Sequence, residues 1–90
     1  MAEAERFDVL AKVVSQTGHC GAGHEVGQEF VIGHLTPAGV CCSAFGAVMP
    51  SARVLRFGGT FPWAKDPDTT TVSCPDAANP VVFDLKRIRS

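Results

Sequence analysis

Apolar and polar side chains alternate at both ends of this 90-residue chain, and that pattern limits its fold more than any other feature. Phe7, Val9, Ala11 and Val13 alternate with Asp8, Leu10, Lys12 and Val14, a β-branched, period-two run that predicts a strand with one well-buried face. Near the C-terminus "PVVFDLKRI" sets Val81, Phe83 and Leu85 against Val82, Asp84 and Lys86. Two further runs complete the set. "EFVIGHL" places Phe30 and Ile32 on one face of a strand from Glu29 to about Leu35, and "TTTVSC" predicts a strand just before the turn "PDAAN".

Between these pairs the signals are helical. The Thr36 hydroxyl can cap free amides, and Pro37 at a first helical position loses no hydrogen bond, so a helix is expected to begin there. Val40, Ala44 or Phe45, and Val48 recur at helical spacing until Pro50 interrupts. Ser51 then caps a second short helix, "ARVLRF", which Gly58 and Gly59 end. The order strand, strand, helices, strand, strand defines an α+β domain over residues 1–90. In it, two β-hairpins form a mainly antiparallel sheet, with a kinked helical segment between them packed on one face.

A chain this short builds only a marginal core unless a metal, a disulfide or a partner subunit reinforces it. With 46% hydrophobic and 19% charged residues it is nonetheless a packed domain rather than a disordered tail. The net charge of −1, and the absence of any Lys/Arg run interleaved with aromatics, argue against nucleic acid as a partner. The N-terminus "MAEAERFDVL" carries acids where a signal sequence would carry a basic and then an apolar stretch, and no apolar run approaches a membrane span. A cytoplasmic protein without membrane contact is expected. Glutathione keeps thiols reduced there, so four cysteines point to metal or catalysis before structural disulfides.

Cys20 and His24 lie in "SQTGHCGAGHEVGQ", too long and glycine-rich for a simple hairpin loop. Cys41 falls near the start of the predicted helix, where dipole and free amides favour a thiolate. Cys74 ends the third predicted strand, immediately before Pro75-Asp76. Three thiolates and one imidazole make the ligand count of a closed zinc site or of one iron–sulfur cluster, so Cys20, His24, Cys41 and Cys74 are the candidate metal ligands. Each cysteine can also serve as a small core residue. Cys42 is assigned to packing, because neighbouring helical side chains diverge by about 100°, although a strained disulfide to Cys41 is conceivable. His19 and His34 read as ordinary histidines, and Asp76 as a turn residue. Arg56, Phe61 and Trp63 flank the Gly-Gly loop, where they either line a pocket for an anionic or aromatic ligand or cover the open end of the core.

Topology decides whether the ligands meet. A second strand reaching about Leu35 carries the chain roughly 20 Å, which puts Cys20 and the helix start at opposite ends of the sheet. Eight extended loop residues reach roughly 26 Å, so the sulfurs can still converge by folding back.

The strings "GHCGAGHEVGQEF", "PAGVCCSAF", "LRFGGTFPWAKDPD" and "CPDAANPVVFDLKRI" resemble a family of small, about 90-residue, uncharacterised prokaryotic proteins, over nearly the whole chain. The positions matching that family's pattern are Cys20, Gly23, His24, Gly27, Phe30, Gly39, Cys41, Ala44, Cys74, Pro75 and Asp76. Gln28 stands where the pattern has aspartate, and Cys42 matches no cysteine in it. The resemblance reinforces the choice of residues and implies no reaction.

The reading that follows is a small metal-binding accessory protein, holding zinc or an iron–sulfur cluster and serving a larger enzyme or redox partner. One alternative is a thiol-dependent redox protein or enzyme with Cys41 as nucleophile and His24 as base. Another is an interaction or small-ligand module using Arg56 and Trp63, with structural cysteines. Exposed strand edges also allow a homodimer.

Overall fold

The computed structural model describes residues 6–89; the first five residues of the acidic N-terminus and of the expected domain, and its final Ser90, lie outside them. Four strands, β1 (Val9–Gln16), β2 (Glu29–Ile32), β3 (Thr69–Ser73) and β4 (Val81–Arg87), form one sheet in the order β2-β1-β4-β3. Every neighbouring pair is antiparallel. One helix, α1 (Cys42–Arg56), lies between β2 and β3 in sequence. An α+β class with an antiparallel sheet is therefore the architecture, and none of the helices described is long and apolar enough to cross a membrane.

Period-two alternation produced the sheet's inner face. Val9, Ala11 and Val13 of β1, Phe30 and Ile32 of β2, and Val81, Phe83 and Leu85 of β4 are all buried. Val14 falls on the outer face with Leu10 and Lys12 and is exposed, and the register shifts between Val13 and Ser15 where β1 meets β4. Ala44, Val48, Ala52 and Leu55 recur every three or four residues along α1 and close the core from one side.

Two expectations need correction. The helical segment does not begin at Thr36-Pro37: residues 38 and 39 form a turn in which Gly39 has φ +89°, a conformation that ends any helix there. Cys41 is the cap instead, with an extended backbone (φ −70°, ψ 150°) and a sulfur accepting the Ala44 amide at 3.3 Å. Nor does Pro50 divide the segment in two, because α1 runs through it. Proline removes one amide and crowds the carbonyl four residues earlier. Buried residues on both sides of Pro50, Ala44 and Val48 before and Ala52 and Leu55 after, hold the helix continuous across that local cost.

The second strand is also shorter than expected, ending at Ile32 rather than about Leu35. The pairing Val9↔Ile32 puts its end beside the start of β1, and Gln16↔Val81 puts the start of β4 beside the end of β1. Loops 17–28 and 74–80 consequently share one end of the sheet. From Ile32 the chain travels back along the sheet over residues 33–41, passing Phe30, so that α1 starts at that same end.

The opposite end is fastened by Arg87, whose side chain is 3% exposed. Its Nη2 donates to the carbonyls of Gly59 and Pro67, its Nη1 lies 3.5 Å from Asp68, and its guanidinium stacks over Phe7. Asp68 also accepts two bonds from Arg89, at 2.8 and 2.9 Å.

Two outcomes test this account. Leu55 is fully buried, so Leu55→Ala should lower unfolding free energy by about 2 to 5 kcal/mol. Urea titration followed by circular dichroism is the measurement, since Trp63 is 73% exposed and reports the core poorly. The Arg89 hydrogen bond holds the Asp68 carboxyl below its ordinary 3.8; burial opposes this and the charges of Arg89, Arg87 and Lys86 assist it. A depressed folded value means that the stabilisation is present above the unfolded value and fades as pH falls through the folded one. Stability should therefore drop as pH falls below about 3.8, and Asp68→Asn should flatten that part of the profile.

Candidate functional site

At the loop end of the sheet, the chain docks onto itself before any cysteine is positioned. Asp76 accepts the amides of Ala78 and Asn79 at 3.1 and 3.2 Å and holds the turn that follows Cys74. Asn79 in turn accepts the His19 amide at 2.8 Å, while the Thr17 amide reaches the Pro80 carbonyl at 3.0 Å. Gly18 makes this close approach possible. Its φ is +71°, and a Cβ there would fall 2.3 Å from the Asn79 side-chain oxygen.

Loop 17–28 is thereby fixed against turn 74–80, and the start of α1 packs beside both. Cys20, Cys41 and Cys74 line one cleft of about 360 Å³, together with Ser43, Pro75 and Asp76. All three thiols are half-buried and free, whereas Cys42 is exposed and lies outside the cleft lining. The Cys74 sulfur accepts the Val81 amide at 3.2 Å, and the Cys41 sulfur accepts that of Ala44. Two of the three sulfurs are thus oriented by backbone donors. Among the described residues, no three His, Cys, Asp or Glu side chains are arranged to hold a metal ion.

His24 has a different place. It is 3% exposed and packs edge-on against Phe30 and Phe83, with ring centroids at 5.6 and 6.1 Å. Its Nε2 accepts the Cys41 amide at 3.1 Å, which requires the tautomer protonated at Nδ1. That N–H donates to the Gln28 side-chain oxygen at 2.9 Å. Gln28, the departure from the resembled pattern, is therefore the group that fixes the imidazole. Both ring nitrogens are engaged, one by the Gln28 oxygen and the other by the Cys41 amide.

Sequence reasoning missed Asn79 and Gly18 as organisers of the cleft. Their signal was present, since an Asx residue ending a Pro-Asp turn and a glycine just after a strand are both turn punctuation. What could not be read was that the two turns touch. Comparison with models of protein families, with curated proteins and with solved structures finds no match to this chain.

Removing the imidazole should act on the folded chain itself. His24→Ala is expected to destabilise the metal-free protein by about 2 to 4 kcal/mol, through the cavity and the orphaned Cys41 amide. Unchanged metal-free stability in urea would show that His24 does not pin the start of α1.

Proposed function

We propose that the protein is a small metal-binding accessory protein whose three-thiol cleft carries an iron–sulfur cluster through Cys20, Cys41 and Cys74. The observation that carries this reading is the shared cleft: three sulfurs from a loop, a helix cap and a strand end, far apart in sequence, line one cavity.

Between the two soft-metal chemistries, the geometry favours the larger body. A zinc ion needs four donors at about 2.0 to 2.3 Å from one point. No three donors stand that way among the described residues, and the expected fourth ligand, His24, spends both nitrogens elsewhere. A four-iron cluster receives each thiolate on a separate iron, so its ligands need not crowd around a single centre. Electrostatics agrees. The first turn of α1 contains no acidic residue, so an anionic sulfur-bound group is the natural counterpart of the helix's positive end. Backbone amides directed at Cys41 and Cys74 also match the hydrogen bonding by which proteins tune cluster thiolates.

Three cysteines leave one iron of a four-iron cluster for an outside donor. A larger enzyme or redox partner that supplies or uses that position is the proposed physiological partner, in the reducing setting of the cytoplasm, where four free thiols persist. The zinc reading differs in one respect, since it requires the sulfurs and His24 to rearrange. The nucleophile reading gains least, because His24 bonds the Cys41 amide rather than its sulfur.

Anaerobic isolation without a metal-affinity tag, followed by iron, zinc and sulfide analysis and an absorption spectrum, is the test. Iron with acid-labile sulfide and a brown colour are expected. Cys20→Ser, Cys41→Ser and Cys74→Ser should each abolish or strongly reduce loading, whereas Cys42→Ser should retain it. Stoichiometric zinc without iron would replace the cluster by a single ion. A folded protein that stays colourless and metal-free after reconstitution with iron and sulfide would end the proposal.

A further inference from the structure

A second cavity, of about 500 Å³, lies between α1 and the segment that follows β2, with no cysteine in its lining. Its size falls within the range of small-molecule sites, about 300 to 1,000 Å³. The sequence reading grouped Arg56 with Phe61 and Trp63. The structure separates them: Phe61 packs against the core and pairs with the exposed Trp63 at 5.1 Å, while Arg56 lines this other cavity.

Its wall is divided by chemistry. Ile32, Leu35, Phe45 and Met49 supply an apolar side. Arg6, Arg53, Arg56 and His34 supply the polar side, and among the described residues no acidic one belongs to the lining. Arg53 and Arg56 are three apart on α1 and therefore share a face. Both guanidiniums rest on the Phe57 ring, at 5.3 and 5.5 Å from its centroid, so their planes are held before any ligand arrives.

Arg56 is the decisive residue. Its side chain is only 10% exposed, lines the cavity, and is ion-paired at 3.5 Å with the carboxylate of Asp8, whose own side chain is 59% exposed. A buried guanidinium carries five donors and is normally saturated when withdrawn from water. Here the ion pair with Asp8 engages one edge of the guanidinium, which also lines the cavity.

We infer that this cavity binds a small organic anion, an oxyanion head group on an apolar body, with Arg53 and Arg56 gripping the head in bidentate fashion and the Phe45 and Met49 side receiving the body. Carboxylate and phosphate heads share the required chemistry. Asp8 is the intramolecular competitor, since it holds the guanidinium the ligand would take. This site is independent of the cysteine cleft and stands whether or not that cleft carries a metal.

Titration of the folded protein with 3-phenylpropionate, its neutral amide and inorganic phosphate, followed by calorimetry and by NMR shifts of the Phe57 and His34 rings, tests the inference. Saturable binding of the acid is expected, at least tenfold tighter than the amide and tighter than inorganic phosphate. Arg53→Gln, at an exposed position outside the core, should weaken the acid at least tenfold. Asp8→Asn should tighten it several-fold, an effect that loose attraction to surface charge does not produce. Absence of saturable binding, equal affinity for acid and amide, or indifference to Arg53→Gln would each overturn the assignment. Phosphate binding as tightly as the acid would remove the apolar half of it.

Discussion

A single hydrogen bond from the Cys41 amide to the His24 ring decides where the helix begins, and the cleft depends on that position. β2 delivers the chain to the far end of the sheet, while Cys20 and Cys74 wait at the near end. Residues 33–41 must bring it back, a distance that nine extended residues cover with roughly 30 Å of reach. A connection of that kind has little regular structure to hold it. The buried imidazole anchors its last residue, Gln28 anchors the imidazole, and the Phe30 and Phe83 rings hold both in place. Helix α1 can then descend across the sheet with its cap facing the thiols.

The descent gives the helix two chemically opposite ends. Its start presents the Cys41 sulfur, which accepts the Ala44 amide, and its last turn presents Arg53 and Arg56. Each arrangement complements the macrodipole at that end, since anionic groups are stabilised at the first turn and cations at the last. The two cavities follow from this division. One gathers three thiols near the positive end of α1, and the other gathers guanidiniums along its closing turns. A helix of 15 residues is about 22 Å long, so each cavity works in its own electrostatic surroundings.

The strands were legible because alternation is a local signal: Val81, Phe83 and Leu85 announce their face without reference to any other residue. The helix start was not, because Thr36-Pro37 has the stronger local credentials, while cysteine is not among the preferred caps. The choice between them rests on Gly39 and on His24, which lies 17 residues earlier in the chain than Cys41. Pro50 misled for a related reason. It removes one amide and crowds one carbonyl, and the burial of Ala44, Val48, Ala52 and Leu55 on both sides of it holds α1 continuous across that local cost. The cysteines were recognisable as a set, but their shared cleft depended on β2 ending at Ile32, three residues before the alternation fades.

The state of His24 also bears on which donors a metal could find. Nε2 has one lone pair, already given to the Cys41 amide, and Nδ1 holds the proton that Gln28 accepts. Ligation through Nε2 would leave the Cys41 amide without its acceptor and release the helix cap that positions the sulfur. Ligation through Nδ1 would expel a proton and turn the Gln28 oxygen toward a lone pair. Either change weakens the arrangement that brings Cys41 to the cleft, so the imidazole and the three thiols are poor candidates for one coordination sphere. The same constraint makes the histidine more useful as a support, because it fixes the backbone of one cysteine while leaving all three sulfurs to face the cavity together.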